Sequence, residues 1–118
     1  MGERSPIWDP KASGAFVGLS LYHSRAHLYR AVLEGVSFAL NHNIVTGAKG
    51  ASRLDKRLIV VGGAAHSELW MQIIADITGY PVYTIREEVE AALGAALLAA
   101  LGSGVIDEAT VEKGWVQL

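Results

Sequence analysis

Apolar and polar residues alternate along the chain with changing periods, and each period predicts an element. Between Ser24 and Gly47 apolar side chains recur every four residues, which predicts a long amphipathic helix that Ser24 caps at its start. The stripe consists of Leu28, Val32, Val36 and Leu40. Residues 58–61 are a continuous run of mostly β-branched residues, as expected for a strand buried on both faces of a parallel sheet.

The second half of the chain repeats this order of helix and strand. Ser67 stands where it can cap a second helix, which Gly79 and Pro81 would end. The apolar face of that helix would hold Leu69, Trp70, Ile73, Ile74 and Ile77. A second strand is predicted for residues 82–85. A third helix is predicted for residues 88–101, with a face of small side chains that another backbone can approach closely.

The remaining segments are connections. Extended or turning chain is predicted for residues 1–21, an exposed loop for residues 47–56, and a short terminal helix for residues 107–118. The order helix, strand, helix, strand, helix indicates an α/β layered domain with parallel pairing. Two strands are fewer than a stable sheet needs, so either the first residues contribute strands or the chain is part of a larger domain.

The composition narrows the classes of protein. With 118 residues, 51% of them apolar, and 10 basic against 12 acidic side chains, the chain is one globular domain or part of one. The basic residues are scattered along the chain, which argues against a nucleic-acid partner. The absence of cysteine excludes disulfides, a thiol nucleophile and thiolate metal sites.

No segment predicts a membrane span or a secretion signal. The longest apolar run, residues 91–101, is shorter than the roughly 20 residues that cross a bilayer. Residues 1–6 are mostly polar, unlike the start of a signal peptide. We therefore expect a cytoplasmic protein without a membrane partner.

A glycine pair lies between the first predicted strand and the second predicted helix. At Gly62 and Gly63 the backbone can turn tightly and approach a ligand, and the amides that begin the next helix favour phosphate or other polar atoms. This arrangement suits a nucleotide, but it matches neither the dinucleotide fingerprint nor the phosphate loop. A plain strand-to-helix turn explains the same residues, and local spacing leaves both interpretations open.

The titratable residues do not form a recognisable catalytic set. His23 and His27 could share one helix face, but no third ligand is spaced with them, so we expect capping or packing rather than a metal site. His66 lies beside the glycine pair and could touch a ligand or simply be exposed. Residues 87–90 include three glutamates at a helix start, where the helix dipole favours negative charge. We predict neither catalytic residues nor a metal site in this chain.

Several segments form a recognisable set when they are taken in order: GERSP at residues 2–6 with WDP at 8–10, FVGL at 16–19, HSRAHLYRA at 23–31, LEGV at 33–36, VGGAAHS at 61–67, GYPV at 79–82 and EAALGAA at 90–96. Together they resemble the C-terminal domain of FGGY-type carbohydrate kinases, above all the xylulokinases. The resemblance extends from residue 2 to about residue 105. Several motifs in one order are more specific than any one of them, and they favour the nucleotide interpretation of the glycine pair.

The resemblance implies a ribonuclease-H-like, actin-like fold in which two lobes close on ATP and a sugar, and the γ-phosphoryl group passes to a sugar hydroxyl. Carried over by position, Gly62, Gly63 and Ala64 would pack their backbone against the nucleotide. Ser67 stands where the family has a polar residue near the adenine. The family's usual triple glycine is interrupted here by Ala64, which adds one methyl group to the contact.

The resemblance also implies what this chain does not contribute. In the family the N-terminal lobe carries the phosphate-binding segment, most sugar contacts and the catalytic aspartate, and Mg²⁺ would be bound mainly by that lobe. We therefore expect residues 1–118 to be the nucleotide-side domain, incomplete at its N-terminus and inactive alone. The expected sugar is a ketopentose such as xylulose.

Two alternatives remain beside the kinase hypothesis. The chain could be a non-catalytic interaction module with the same fold, and in either case its exposed apolar surfaces predict a homo-oligomer or binding to the rest of the enzyme. A Rossmann dinucleotide binder is weaker, because its glycine fingerprint is missing. Loss of nucleotide binding on Gly63→Trp would support the kinase hypothesis over the interaction module.

Overall fold

The computed structural model describes residues 2–85 and 90–111 as four helices, two strands and a 3₁₀ turn. In chain order these are α1 (Arg25–Ala48), β1 (Leu58–Val60), the 3₁₀ turn (Gly63–His66), α2 (Glu68–Thr78), β2 (Val82–Thr84), α3 (Glu90–Gly102) and α4 (Glu108–Val111). The predicted order of helix and strand is confirmed. Parts of the predicted third and terminal helices, residues 88–89 and 112–118, lie outside the described residues.

The two strands form a parallel pair. Leu58 lies opposite Val82, and the register continues to Val60 opposite Thr84. Because the strands run parallel, their carboxyl ends lie at the same edge of the sheet, where each connection leaves it. That edge positions the residues considered below.

The prediction of a strand buried on both faces is wrong. Leu58 and Val60 are half-buried, whereas Ile59 between them is 47% exposed. Successive side chains of a strand point to opposite faces, and in the described part of the chain only one face of this sheet is covered. The apolar run of residues 58–61 therefore includes a side chain, Ile59, on a face of the sheet that the described residues do not cover.

The core lies between α1 and α2. Leu33 of α1 and Ile73 and Ile74 of α2 are buried, and each retains 5% exposure or less. The predicted stripe of α1 is displaced from this core, since Val32 and Val36 are both 49% exposed. A spacing of four residues advances about 40° more than a full turn each time, so a strict four-residue stripe winds off any one face.

A buried hydrogen bond joins α1 to α2. Ser37 is fully buried, and its Oγ donates to the Leu33 carbonyl oxygen at 2.8 Å. Ser37 Oγ in turn accepts the indole N–H of Trp70 from α2 at 3.2 Å. The hydroxyl thus satisfies its own donor within α1 and the indole donor across the interface.

The first residues form a turn that is attached to α1. Glu3 and Asp9 exchange two backbone hydrogen bonds of 2.7 and 2.9 Å. Asn43 of α1 accepts the Ser5 hydroxyl at 2.6 Å and donates to the Ser5 carbonyl oxygen at 3.1 Å. Residues 12–20 add no strand to the sheet. Within the described residues, no helix is both long enough and apolar enough to span a membrane.

Candidate functional site

The glycine pair lies at the carboxyl end of β1 and leads into the 3₁₀ turn. Gly62 has φ 84° and ψ −172°, a conformation that L side chains rarely adopt. The turn is closed by backbone hydrogen bonds from Ala65 N–H to Gly62 O at 2.9 Å and from Ser67 N–H to Ala64 O at 3.1 Å. The backbone conformation itself therefore requires glycine at position 62.

Gly63 has a different reason to be glycine. Its φ is not in the left-handed region, and a Cβ built there would meet no atom of the chain within 4 Å. Neither conformation nor internal packing excludes a side chain at this position. A glycine at an exposed strand-to-helix turn leaves the backbone open to close approach from outside.

Ala64 and Ser67 complete the predicted set on the same turn, and both are half-buried. Ser67 is the N-cap of α2, where its Oγ accepts the backbone N–H of Trp70 at 3.3 Å. With that acceptor role filled, the hydroxyl hydrogen of Ser67 can still be donated to another group. The four predicted residues thus lie on the continuous segment 62–67, which forms the 3₁₀ turn and the N-cap of α2.

A cavity of about 330 Å³ adjoins this turn. It lies between the 3₁₀ turn, α2 and β2, and its lining residues are Ala65, Glu68, Met71, Gln72, Ala75, Val82 and Thr84. A volume of this size falls at the lower end of small-ligand sites, and in α/β sheets such sites lie beyond the carboxyl ends of the strands. The polar groups that it offers are those of Glu68, Gln72 and Thr84.

The sequence analysis missed these cavity residues. Glu68, Gln72 and Ala75 are spaced by four and three residues, so they share one face of α2 beside the predicted apolar face. That spacing could have been read from the sequence. Only the position of β2 explains why this face borders a cavity.

The histidines have different surroundings. His66 ends the 3₁₀ turn and is exposed. His23 precedes α1 and His27 lies in its first turn, and the Nδ1 atom of each accepts a backbone N–H from a serine, at 2.9 and 3.1 Å. The capping role expected for them is what the structure shows. Among the described residues, no three metal-ligating side chains come together.

The chain matches the FGGY family of carbohydrate kinases, C-terminal domain, over residues 1–103. It is 40% identical over 114 residues to a glycerol kinase of Geobacter sp. (strain M21), covering 97% of this chain and 23% of the relative. It is also 40% identical over 107 residues to a xylulose kinase of Lactococcus lactis subsp. lactis (strain IL1403), covering 91% and 21%. A gluconokinase of Bacillus subtilis is 35% identical over 106 residues, covering 90% and 21%.

Solved structures give the same result. A gluconate kinase from Lactobacillus acidophilus superposes with a TM-score of 0.78 at 32% identity, covering 98% of this chain and 23% of that one. A ligand-bound xylulose kinase from the same organism has a TM-score of 0.75 at 30% identity, covering 98% and 24%. The chain therefore spans less than a quarter of the length of these relatives.

These matches confirm the resemblance that the motifs indicate and the α/β fold class, part of a ribonuclease-H-like, actin-like ATPase lobe. They do not favour xylulokinases above other members, because glycerol and gluconate kinases are as similar to this chain as xylulose kinases are. The chain belongs to the FGGY family of carbohydrate kinases, whose C-terminal domain it matches over most of its length.

Proposed function

We propose that this chain is the nucleotide-side lobe of an ATP-dependent carbohydrate kinase, which transfers the γ-phosphoryl group of ATP to a sugar hydroxyl in the cytoplasm. The observation that carries the proposal is the turn at Gly62 and Gly63. It lies at the carboxyl edge of a parallel sheet, inside the segment that matches a kinase family, and it presents a glycine that the chain's own packing does not require.

The residues of the turn would contact the nucleotide in two ways. Gly62, Gly63 and Ala64 would lie against the adenosine with their backbone, where a side chain would hold the ligand away. Ser67 would donate its hydroxyl hydrogen to a nucleotide acceptor atom while it continues to cap α2. The cavity beside the turn offers room for part of the ligand.

The phosphoryl-transfer chemistry is assigned to the rest of the kinase. Phosphoryl transfer depends on positioning both reactants and on neutralising charge from both sides of a cleft, and Mg²⁺ supplies part of that neutralisation when bound. The chain spans about a fifth of its relatives' length, so we expect the isolated chain to bind nucleotide without turning it over. Mg²⁺ would be held mainly outside this segment.

The proposed sugar is a ketopentose such as xylulose. It is supported by the motifs and by the 40% identity to a xylulose kinase. A glycerol kinase is equally similar, so glycerol and gluconate are the competing substrates to test. Phosphorylation of glycerol or gluconate in preference to xylulose by a kinase that contains this lobe would refute the assignment.

Calorimetric titration of ATP and of ADP into the purified chain, in buffer with Mg²⁺, tests the nucleotide site. We expect weak binding, with Kd on the order of 1 mM, because one lobe supplies only some of the contacts. Gly63→Val should abolish it by placing a branched side chain against the ligand. Gly47→Val is the matched control, since Gly47 lies near the end of α1 with equally open space around it.

The two variants separate the possible outcomes. Binding that is lost in Gly63→Val and kept in Gly47→Val supports the proposal. Binding that survives Gly63→Val excludes the turn as the nucleotide site. If the wild-type chain gives no heat, the turn does not bind nucleotide by itself, and the alternative described next gains support.

The second candidate function is a non-catalytic interaction module. It is favoured by the accessible surface of the chain, 9286 Å², where a compact monomer of 12.6 kDa would expose about 6,200 Å². The excess is larger than one side of a standard protein interface, about 800 Å². An excess of that size fits a surface covered by the rest of a kinase polypeptide, and it also permits self-association.

A further inference from the structure

Two copies of one short pattern precede and begin α1. Ser20 is followed three residues later by His23, and Ser24 is followed three residues later by His27. The second copy has the spacing of a capping box, in which a Glu or Gln three residues after the N-cap accepts the N-cap backbone N–H. Here a histidine occupies the position of that acceptor.

Both histidines make the same hydrogen bonds. The backbone N–H of Ser20 donates to His23 Nδ1 at 2.9 Å, and that of Ser24 donates to His27 Nδ1 at 3.1 Å. Each serine hydroxyl also lies within hydrogen-bond distance of the same Nδ1, at 3.0 and 2.9 Å. The two rings meet edge to face, with their centroids 5.7 Å apart.

These donors determine the protonation of the rings. A backbone N–H can only donate, so each Nδ1 must carry a lone pair, and the hydrogen of the neutral ring is then on Nε2. In that form neither Nε2 can ligate a metal. A second proton could be added only at Nδ1, where it would remove the acceptor of the backbone N–H.

We propose that this tandem serine–histidine cap makes the start of α1 sensitive to pH. While both rings are neutral, they cap the turn before α1 and its first turn. Once protonated, each ring donates at both nitrogens, releases its serine N–H, and places positive charge at the positive end of the helix dipole. Protonation at Nδ1 and acceptance of the serine N–H exclude each other, so acidification opens the cap.

The neighbouring charges do not oppose this opening. On α1 itself, Arg25 stands two residues after His23, and Arg30 is paired with Glu34 at 2.7 Å. Near the N-terminus, the Glu3 and Asp9 carboxylates accept the backbone N–H groups of nearby residues. The acidic residues of α2, the helix packed against α1, are Glu68 and Asp76. Among the described residues, no carboxylate forms an ion pair with either ring.

NMR of the 118-residue chain tests the proposal. Long-range ¹H–¹⁵N spectra of the imidazoles at neutral pH should give the Nε2–H form for both His23 and His27. Backbone ¹³Cα shifts of residues 24–28 should then be followed from about pH 7.5 to 5.5. We expect them to show that the helical population of the first turn of α1 falls about threefold. The shifts of α2 are the internal reference, because Ser67, which caps it, does not titrate.

Two substitutions make the assignment specific. His27→Gln keeps an acceptor at every pH, so residues 24–28 should remain helical across the titration. His42→Gln is the matched control on the same helix, because the structure gives the His42 ring no hydrogen bond within the described residues, and it should titrate like the wild type. An Nδ1–H tautomer, an unchanged pH response in His27→Gln, or a parallel change in α2 would each overturn the proposal.

Discussion

Trp70 donates its indole N–H to a serine that no solvent reaches. Ser37→Ala would leave that donor without its partner in the α1–α2 interface. We expect the free energy of unfolding to fall by about 1–2 kcal/mol, because an unsatisfied donor loses its hydrogen bond while it remains largely shielded from water. Urea denaturation followed by circular dichroism measures this loss.

A matched serine provides the control. Ser103 also donates its hydroxyl to a backbone carbonyl, that of Ala100 at 3.1 Å, but it is exposed. Ser103→Ala should change stability by less than about 0.5 kcal/mol. Equal losses in the two variants would mean that the hydrogen bond to Trp70 contributes nothing.

The carboxyl of Asp107 has a lowered pKa. Its cause is first the hydrogen bond from the Thr110 hydroxyl and then the one from the Thr110 backbone N–H, both of which favour the charged form. At pH values above the ordinary pKa of 3.8, the charged carboxylate makes its full contribution to the stability of the start of α4. That contribution is lost as the pH falls through the lower pKa of the folded chain. Thr110→Val removes the hydroxyl and keeps the backbone donor.

We therefore expect the Asp107 pKa to rise in Thr110→Val towards 3.8 without reaching it. A titration of the carboxyl ¹³C shift, performed on both proteins, measures the change. Identical titration curves would show that the hydroxyl does not hold the charged form.

At the level of elements, the hydrogen bonds that attach the turn of residues 2–10 to α1 within the described residues come from one side chain, that of Asn43. Asn43→Ala removes its hydrogen bonds to Ser5, and alanine is a better helix former than asparagine. We expect amide exchange at Glu3 and Asp9 to accelerate severalfold while α1 keeps its helicity. Hydrogen-exchange mass spectrometry or NMR measures both effects.

Asn41→Ala is the control for this prediction. Asn41 lies on the same helix with similar burial, and within the described residues the structure gives its side chain no hydrogen bond. Its replacement should leave exchange at Glu3 and Asp9 unchanged. Acceleration in both variants would indicate a general loosening of α1 rather than loss of one attachment.

The sequence predicted the elements better than their faces. The order of helices and strands and the capping of α2 by Ser67 follow from residue types and local spacing, and the structure has both. The buried face of α1 was missed because it includes Ser37, a polar residue that becomes a core residue only when Trp70 of another helix reaches it. Local spacing does not contain that pairing.

The candidate site divides in the same way. Gly62 could be identified from the sequence, since a strand-to-helix turn commonly needs a residue that tolerates positive φ, and it has φ 84°. The polar groups of the cavity, such as Gln72 and Thr84, could not, because they become neighbours only where α2 packs beside β2.

At the scale of the whole molecule, the chain is more extended than its length requires. Its radius of gyration is 18.3 Å, compared with about 13.5 Å for a compact domain of 118 residues. A groove between residues 14–17 and α1 contributes to the uncovered surface. It is lined by Gly14, Ala15, Phe16, Val17, Ala31, Val32, Gly35 and Val36, and none of these side chains is charged.

We expect the isolated chain to associate with itself through such surfaces. Size-exclusion chromatography with light scattering should give a mass above the 12.6 kDa of one chain, and Val36→Lys in the groove should lower it. Val105→Lys is the control, because Val105 is 77% exposed outside the groove. A clean monomer would contradict the expectation and weaken the interaction-module alternative.

The two adjacent glycines differ in what a methyl group would do to them. At Gly62 an added Cβ strains a backbone with φ 84°. At Gly63 it strains nothing in the folded chain and restricts the unfolded one, so Gly63→Ala should raise stability by about 0.4–1 kcal/mol. If the turn holds a nucleotide, the same methyl weakens binding. Glycine at position 63 would then favour ligand binding and lower the stability of the fold relative to alanine. Thermal unfolding of Gly63→Ala with and without ADP would display both effects in one variant.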